Sequence, residues 1–291
     1  MSTISDDVRK LSPNDLPRQL FEIPQPPKEL YLVGELPDPD EYVYLAIVGS
    51  RKHTSYGKDV VKKLVASLAG EKVVIVSGLA IGIDGIAHQS AIEHGLKTIA
   101  IPGSGLDDTA IYPRIHLNLA KNILQAGGAL LSELTPTTRA STWSFPMRNR
   151  IMAGLCRAVL IIEAEEKSGT LITARMAVDY NRDVLVVPGN INSPASKGTN
   201  QFLRLGATPI TCAEDLWEAL GIKKEQREVS NEQTHNLSDD EKILFELLIE
   251  PMSKDEIFEQ TDFDIVQINT ILMLLELKNL IKEEFGKVRR I

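Results

Sequence analysis

The chain has 291 residues, of which 43% are hydrophobic, 25% charged and 5% aromatic. This composition indicates a globular protein with a sizeable core and excludes a fibrous fold or disorder throughout. The formal net charge of −8 excludes a uniformly basic surface for nucleic acid but leaves room for a local basic site. Two cysteines, Cys156 and Cys212, are too few for a disulfide scaffold or a cysteine-rich zinc site. No signal-peptide pattern or membrane-length apolar run is present, so we expect a soluble, cytoplasmic protein.

Residues 1–41 are rich in proline, with seven prolines between positions 13 and 39. Proline fixes its own backbone φ angle and lacks an N–H donor, so this region favours turns and short extended pieces over a long helix. We interpret it as a proline-rich N-terminal arm that packs on the following domain.

Residues 42–221 alternate short apolar runs with helical patterns. The runs predict strands at 43–48, 73–76, 98–101, 129–131, 159–162 and 184–187. The helical patterns lie at 57–69, 83–94, 114–126 and 170–180. Near-continuous apolar strands are typical of a parallel sheet covered by helices on both faces. We therefore predict a Rossmann-like, doubly wound α/β domain with a mostly parallel sheet.

The pattern changes after this domain. Residues 222–236 are polar and without period, which predicts a linker. Residues 237–291 contain three helical patterns and an alternating segment around Gly286, which predict a small winged-helix domain. The residues expected on its buried helix faces are Ile243, Leu244, Leu247 and Leu248, then Ile265, Ile268, Ile271, Leu272 and Leu275. Residues 221–291 carry ten Lys/Arg and sixteen Asp/Glu, so this part is acidic.

Loops that follow the predicted strands are rich in glycine, hydroxyl groups and arginine. Ligands of open parallel sheets bind outside the carboxyl ends of the strands, where these loops meet. Gly49, Ser50 and Arg51 follow the first strand. The glycine allows a phosphate to approach the backbone closely, the serine offers a hydroxyl, and the forked guanidinium of the arginine fits phosphate oxygens. The pattern is neither GxGxxG nor the Walker motif, and a tight turn with a solvated arginine is the alternative interpretation.

Two further loops supply glycine backbones, at Gly78 and at Gly103, Ser104 and Gly105. Each is a candidate phosphate contact, although the second could simply be a long turn. Asp84 is interpreted as a helix cap, and His88 as a structural histidine, because no nucleophile motif accompanies them.

The strongest signal is a gap in the acidic residues. No Asp or Glu occurs from 134 to 162, whereas this segment contains Arg148, Asn149 and Arg150 at the start of a predicted helix. Cations there oppose the helix dipole unless an anion lies between them. Trp143 and Phe145 add aromatic faces, and arginines beside aromatic rings are typical of single-stranded nucleic acid sites. Core packing is the alternative for both aromatic residues.

Two later helices begin with residues that suit one phosphate each. The candidates are Ser168, Gly169 and Thr170, then Lys197, Gly198, Thr199 and Asn200. Ordinary helix capping is the alternative for each group alone, and the case for binding depends on their convergence at one sheet edge.

The ordered motifs GSR, SGLAIGIDGIAH, IPGSGLD, FPMRNRIMAGL, SGTLITARMA, VPGN and KGTNQFLRLGA resemble the DNA-processing protein A (DprA, or Smf) family. The resemblance implies a non-enzymatic homodimer that binds and protects incoming single-stranded DNA in natural transformation and helps to load the RecA recombinase. It also implies a basic pocket that contains Gly49, Ser50 and Arg51, with Phe145 near a base.

This chain departs from the family in two respects. Thr142 stands near the position of a pocket lysine, so Arg182 or Lys197 is expected to supply that charge. We also expect the N-terminal helical domain that many members carry to be missing from this chain.

Two other functions fit part of the sequence. A Rossmann-like nucleotide-binding protein or nucleoside-monophosphate hydrolase would use similar loops, but no paired carboxylates suggest acid–base catalysis, and Glu133 and Glu163 are expected to be solvated or paired with arginine. A duplex-reading winged helix is disfavoured because its third helix has no Lys or Arg before Lys278. We predict no catalytic residue, metal or cofactor.

Overall fold

The computed structural model describes residues 4–222, 237–248, 251–278, 280–284 and 286–290. The chain divides into two compact units, Met1–Lys223 and Lys224–Ile291. Apart from Ile222, the predicted linker lies outside the described residues.

The first unit is built on a sheet of nine strands. They are β1 (Arg9–Leu11), β2 (Leu30–Gly34), β3 (Val43–Val48), β4 (Val73–Ser77), β5 (Lys97–Ala100), β6 (Ala129–Ser132), β7 (Ala158–Ile161), β8 (Asp183–Val186) and β9 (Thr208–Pro209). The order across the sheet is β1-β2-β6-β5-β4-β3-β7-β8-β9. In this order, the seven strands from β6 to the β9 edge run parallel to one another. The predicted strands are all present, and the prediction of a mostly parallel α/β sheet is confirmed.

Helices cover both faces of this sheet. They are α1 (Ser55–Ser67), α2 (Ile83–Glu93), α3 (Leu117–Gln125), α4 (Ser144–Leu155), α5 (Thr170–Asp179), α6 (Lys197–Arg204) and α7 (Ala213–Leu220). Along β3, Ala46 belongs to the buried cluster that contains Ile151 of α4, whereas Leu45 and Ile47 belong to the cluster that contains Val61 of α1. Both faces of β3 are therefore buried from solvent, which explains why its residues are hydrophobic at every position.

The N-terminal arm contributes more than turns. Its β2 pairs antiparallel with β6, and β1 pairs antiparallel with β2, so the arm extends the sheet at one edge. Leu16 and Leu20 lie in the same buried cluster as the strands. β2 was not predicted from the sequence, because a segment of five residues between proline-rich segments is too short to show a clear apolar–polar alternation.

The chain reverses its direction across the sheet at β3. Strands β4, β5 and β6 are added on one side of β3, and β7, β8 and β9 follow on the other side. The connections after β3 and β7 therefore diverge to opposite faces and leave a crevice between the two carboxyl ends.

The second unit contains α8 (Asp239–Leu247), α9 (Lys254–Glu259) and α10 (Ile265–Leu277), followed by the antiparallel pair β10 (Ile281–Glu284) and β11 (Lys287–Arg290). Ser238, Ser253 and Asp264 cap the three helices with reciprocal side-chain and backbone hydrogen bonds. Most of the predicted apolar residues are buried, but Ile243 and Ile265 are exposed, which corrects their assignment to the core. Ile265 lies in the first turn of α10 and Ile243 on the outer side of α8.

Within the described residues, no helix combines the length and the apolar character needed to cross a bilayer.

Candidate nucleic-acid interface

An open cavity of about 500 Å³ lies in the crevice between β3 and β7. Its walls come from the β3–α1 loop, the first turns of α4 and the loop that leads into α5. Its lining includes Gly49, Ser50, Arg51, Lys52, Asp84, Phe145, Arg148, Asn149, Glu165, Ser168, Gly169 and Thr170. We call it the switch-point cavity. Segments more than 100 residues apart in the chain are thus brought together by the strand order alone.

Arg51 is an exposed cation of this cavity, next to the exposed Lys52. Its guanidinium lies 5.2 Å from the centre of the Phe145 ring, a cation–π contact that orients the side chain. The backbone N–H of Lys52 donates to the Ser50 hydroxyl at 3.0 Å and tightens the turn. Within the described residues no salt bridge engages Arg51, so its positive charge is available to an anion.

Arg148 is the buried cation of this cavity. Its Nη1 donates to the carbonyl of Ile101, and its Nε donates to Asn149 Oδ1 at 3.1 Å. Burial lowers the pKa of Arg148 to about 10, against the attraction of the nearby Asp84 carboxylate. Burial also raises the pKa of Asp84, an effect that Arg148 opposes. Arg148 remains a cation at neutral pH and places a fixed positive charge in the cavity wall.

The N-terminus of α5 forms the opposite wall. Thr170 Oγ1 donates to the carbonyl of Gly49 at 3.1 Å and joins this wall to the β3–α1 loop. Ser168 Oγ accepts from the Thr170 backbone N–H at 3.2 Å. The positive end of the α5 dipole therefore faces the same space as the two arginines, which favours an anionic ligand.

Phe145 and Tyr112 form an aromatic surface beside the cavity. Their ring centres are 5.9 Å apart with a tilt of 53° between the planes, and Tyr112 is 47% exposed. Neither Tyr112 nor Lys52 was predicted from the sequence as a site residue. The adjacent pair Tyr112-Pro113, directly after a glycine-rich loop, was the available signal for the first of them.

The family model for DNA recombination-mediator protein A matches residues 8–221. The chain belongs to this family. Protein Smf of Escherichia coli K12 is 41% identical over 204 residues, which are 70% of this chain and 54% of that protein. DNA processing protein DprA of Bacillus subtilis is 40% identical over 210 residues, 72% of this chain and 70% of that protein. The chain thus matches only about half the length of the Escherichia coli relative.

A solved structure of DNA processing protein A from Helicobacter pylori is similar, with a TM-score of 0.68 and 33% identity. The match covers 75% of this chain and 98% of that chain. That structure describes a single-stranded DNA binding mode of the Helicobacter pylori protein.

In this family member, Gly78 and the Gly103 loop lie behind the cavity wall. A Cβ atom at Gly78 would lie 2.1 Å from Nη1 of Arg148, and one at Gly103 would lie 2.5 Å from the Phe145 ring. Each glycine is needed so that a cavity side chain can pack against the backbone. Ser104 is fully buried, and Gly105 donates its N–H to the carbonyl of Thr138 at 2.8 Å. The prediction that Gly103, Ser104 and Gly105 contact phosphate is wrong, because all three are buried. Gly78 is also buried but borders a small cavity with Arg51 and Phe145, so its phosphate contact stays a prediction.

Arg150 is an internal residue. It forms a salt bridge with Glu133, and its Nη1 donates to the carbonyl of Gln25 at 2.6 Å. Residues two apart on a helix project about 200° apart, so Arg148 and Arg150 cannot flank one anion. The prediction of a shared anion between them is wrong, whereas the expected arginine pairing of Glu133 is confirmed.

Arg182 lies at the far end of the strands. It donates to the carbonyls of Gln19 and Gly154 and forms a salt bridge with Glu22 at 2.7 Å. It follows α5 and precedes β8, at the amino end of the sheet, so it does not supply the missing pocket charge. That expectation is wrong because the direction of α5 takes its C-terminus away from the cavity.

The Lys197 group supports a neighbouring loop instead of lining the cavity. Gly198 donates its N–H to the Ala164 carbonyl at 2.8 Å, and Thr199 donates its hydroxyl to the Ser196 carbonyl at 2.9 Å. Asn200 exchanges hydrogen bonds with the backbone of Gly189. Lys197 is exposed and none of the four residues lines the cavity, so their assignment as cavity contacts is also corrected.

Glu163 anchors the first loop. Its carboxylate accepts from the Thr54 backbone N–H at 3.0 Å and from the Thr54 hydroxyl at 2.5 Å. It is buried and has no arginine partner among the described residues, which corrects the expectation for this side chain. The carboxylates of Glu163 and Glu133 are therefore both engaged by groups of the protein itself.

Arg150 and Arg51 are expected to respond differently to truncation. Arg150→Ala leaves Glu133 without its buried partner and should lower the free energy of unfolding by about 3 kcal/mol. Arg51→Ala removes an exposed side chain and should change it by less than about 0.5 kcal/mol. Denaturant unfolding of both variants checks this, and equal effects would contradict the assignment of Arg150 to the interior.

His88 should make the fold sensitive to acid. It is fully buried with Nδ1 2.7 Å from Thr98 Oγ1, and burial lowers its pKa from 6.5 to about 3. Because the folded pKa is depressed, the stabilisation is complete above pH 6.5 and is lost as the pH falls towards 3. The wild type should therefore lose about 2 kcal/mol more than His88→Asn between pH 7 and pH 5 in denaturant unfolding. An identical pH dependence for both proteins would show that His88 is not held neutral.

Proposed function

We propose that this protein binds single-stranded DNA through the switch-point cavity. The observation that carries the proposal is the convergence of Arg51, Arg148 and the N-terminus of α5 on one open cavity in a protein of net charge −8. Guanidinium groups and a helix N-terminus bind phosphate without reading the bases.

The aromatic residues favour a single strand over a duplex. Phe145 and Tyr112 present ring surfaces next to the arginines, and a ring can stack only on a base that is not already paired and stacked. The Helicobacter pylori relative, described by its single-stranded DNA binding mode, supports the same ligand for this chain.

The remaining functional expectations are also proposals. Recombination mediation is what the family description names, and this supports help in loading the RecA recombinase onto the bound strand. The family resemblance supports protection of incoming DNA, a homodimer and the absence of enzymatic activity.

For the second unit, three helices followed by an antiparallel strand pair support a winged-helix domain spanning 237–291. We retain 1–41 as the arm and 42–221 as the DNA-binding domain.

Arg51→Ala should weaken binding of a single-stranded oligonucleotide by about 10- to 100-fold, because it removes a charge-assisted phosphate contact. The slope of log affinity against log salt should fall by about 0.7. Fluorescence anisotropy at two salt concentrations measures both quantities. Arg139→Ala is the control, since Arg139 is exposed, carries the same charge and lies outside the cavity.

Two outcomes would contradict this assignment. Unchanged binding by Arg51→Ala would exclude the switch-point cavity. Equal affinity for a mononucleotide and for a long oligonucleotide would favour a nucleotide-binding protein in place of a strand-binding one.

Gly78→Ala should weaken DNA binding by about tenfold although Gly78 does not line the cavity. The added methyl group would displace the Arg148 guanidinium from its position against the backbone. Gly154→Ala is the matched control, because a Cβ there would also press on a buried side chain, Ile23 at 2.7 Å, whereas Gly154 lies outside the cavity. Circular dichroism should confirm that both variants fold, and full affinity in Gly78→Ala would show that Arg148 does not need its present position.

A further inference from the structure

A row of exposed lysines begins at the switch-point cavity and continues along α1. Lys52 lines the cavity, and Lys58 and Lys62 follow on the first two turns of α1. All three are exposed. We call these residues the α1 ridge.

Helix geometry directs the ridge outwards and away from the cavity. Val61, Leu64 and Val65 bury the inner face of α1 against the sheet. Lys58 and Lys62 are four residues apart, so they project from the same side, with a rise of about 6 Å between them along the helix.

The ridge lysines lack partners of opposite charge. Among the described residues no salt bridge engages Lys52, Lys58 or Lys62, whereas Lys72 and Lys121 each pair with a carboxylate. Asp59 is the acidic residue of α1 and is also exposed. Among the salt bridges of the described residues, none joins it to a ridge lysine. Like charges four residues apart destabilise a helix, and an anionic ligand would remove that repulsion.

Charge also distinguishes the two sides of the cavity. The β7–α5 loop carries Glu165 and Glu166 beside Lys167, and all three are exposed. A polyanion that leaves the cavity is therefore repelled on this side and attracted on the α1 side.

We propose that the α1 ridge binds the phosphates of the nucleotides that extend beyond the switch-point cavity and so sets the path of the strand. This proposal rests on the proposed function. The cavity would hold one or two phosphates, and the ridge would add contacts only for longer strands.

The test compares Lys58→Gln/Lys62→Gln with the wild type on oligothymidylates of 4 and 20 nucleotides at two salt concentrations. Affinity for the 4-mer should not change, because the cavity is intact. Affinity for the 20-mer should fall by about tenfold, and its salt slope should fall by about 1.4, which is about 0.7 for each lost phosphate contact. Lys58→Arg/Lys62→Arg should restore both values.

Lys28→Gln/Lys97→Gln is the matched control, since both residues are exposed, lie outside the cavity and form no salt bridge among the described residues. An equal loss of 20-mer affinity in this control would overturn the proposal, because the effect would then follow net charge alone. Wild-type affinity and salt slope in the ridge variant would also overturn it while leaving the cavity assignment intact. Failure of the wild type to bind either oligonucleotide would refute the proposed function itself.

Discussion

The buried Arg148 cation organises the carboxyl end of the sheet. Its guanidinium is held by the Ile101 carbonyl and by Asn149 and lies near Asp84, so it keeps one position without complete neutralisation. A cation fixed in this way does not lose side-chain freedom when a ligand binds. The exposed Arg51 supplies a second charge, and the Phe145 ring limits its orientation. The site therefore combines one buried and one exposed guanidinium.

The glycine-rich loops act mainly through packing. Gly78 lets Arg148 approach the backbone, and Gly103 does the same for the Phe145 ring. In a phosphate-binding loop, glycine usually allows the ligand to approach the backbone. Here the close approach at these two loops is made by the protein's own side chains. A glycine-rich sequence after a strand therefore identifies the end of the sheet that carries the candidate site. It does not identify which loop contacts the ligand.

The acid-free segment from 134 to 162 contains arginines of different kinds. Arg148 lines the cavity, whereas Arg150 is paired with Glu133, which lies immediately before the gap. A local excess of positive charge in the sequence does not require a local excess in space, because the neutralising carboxylate can come from outside the segment. Arg182 shows the same effect at the opposite end of the sheet, where Glu22 of the N-terminal arm is its partner.

The sequence by itself determined the parallel core, the helices that follow its strands and the sheet edge that carries the candidate site. These features follow from local periodicity and from the rule that binding loops lie at the carboxyl ends of parallel strands. Gly49, Ser50 and Arg51 were placed correctly in the switch-point cavity because they directly follow a strand. Only the tertiary structure decided that Arg148 faces the cavity while Arg150 and Arg182 each pair with a carboxylate of the protein, and that β2 joins the sheet. Those outcomes depend on helix rotation and on contacts with the N-terminal arm, at Gln25 for Arg150 and at Glu22 for Arg182, more than a hundred residues away. Neither leaves a periodic signal in the neighbouring sequence.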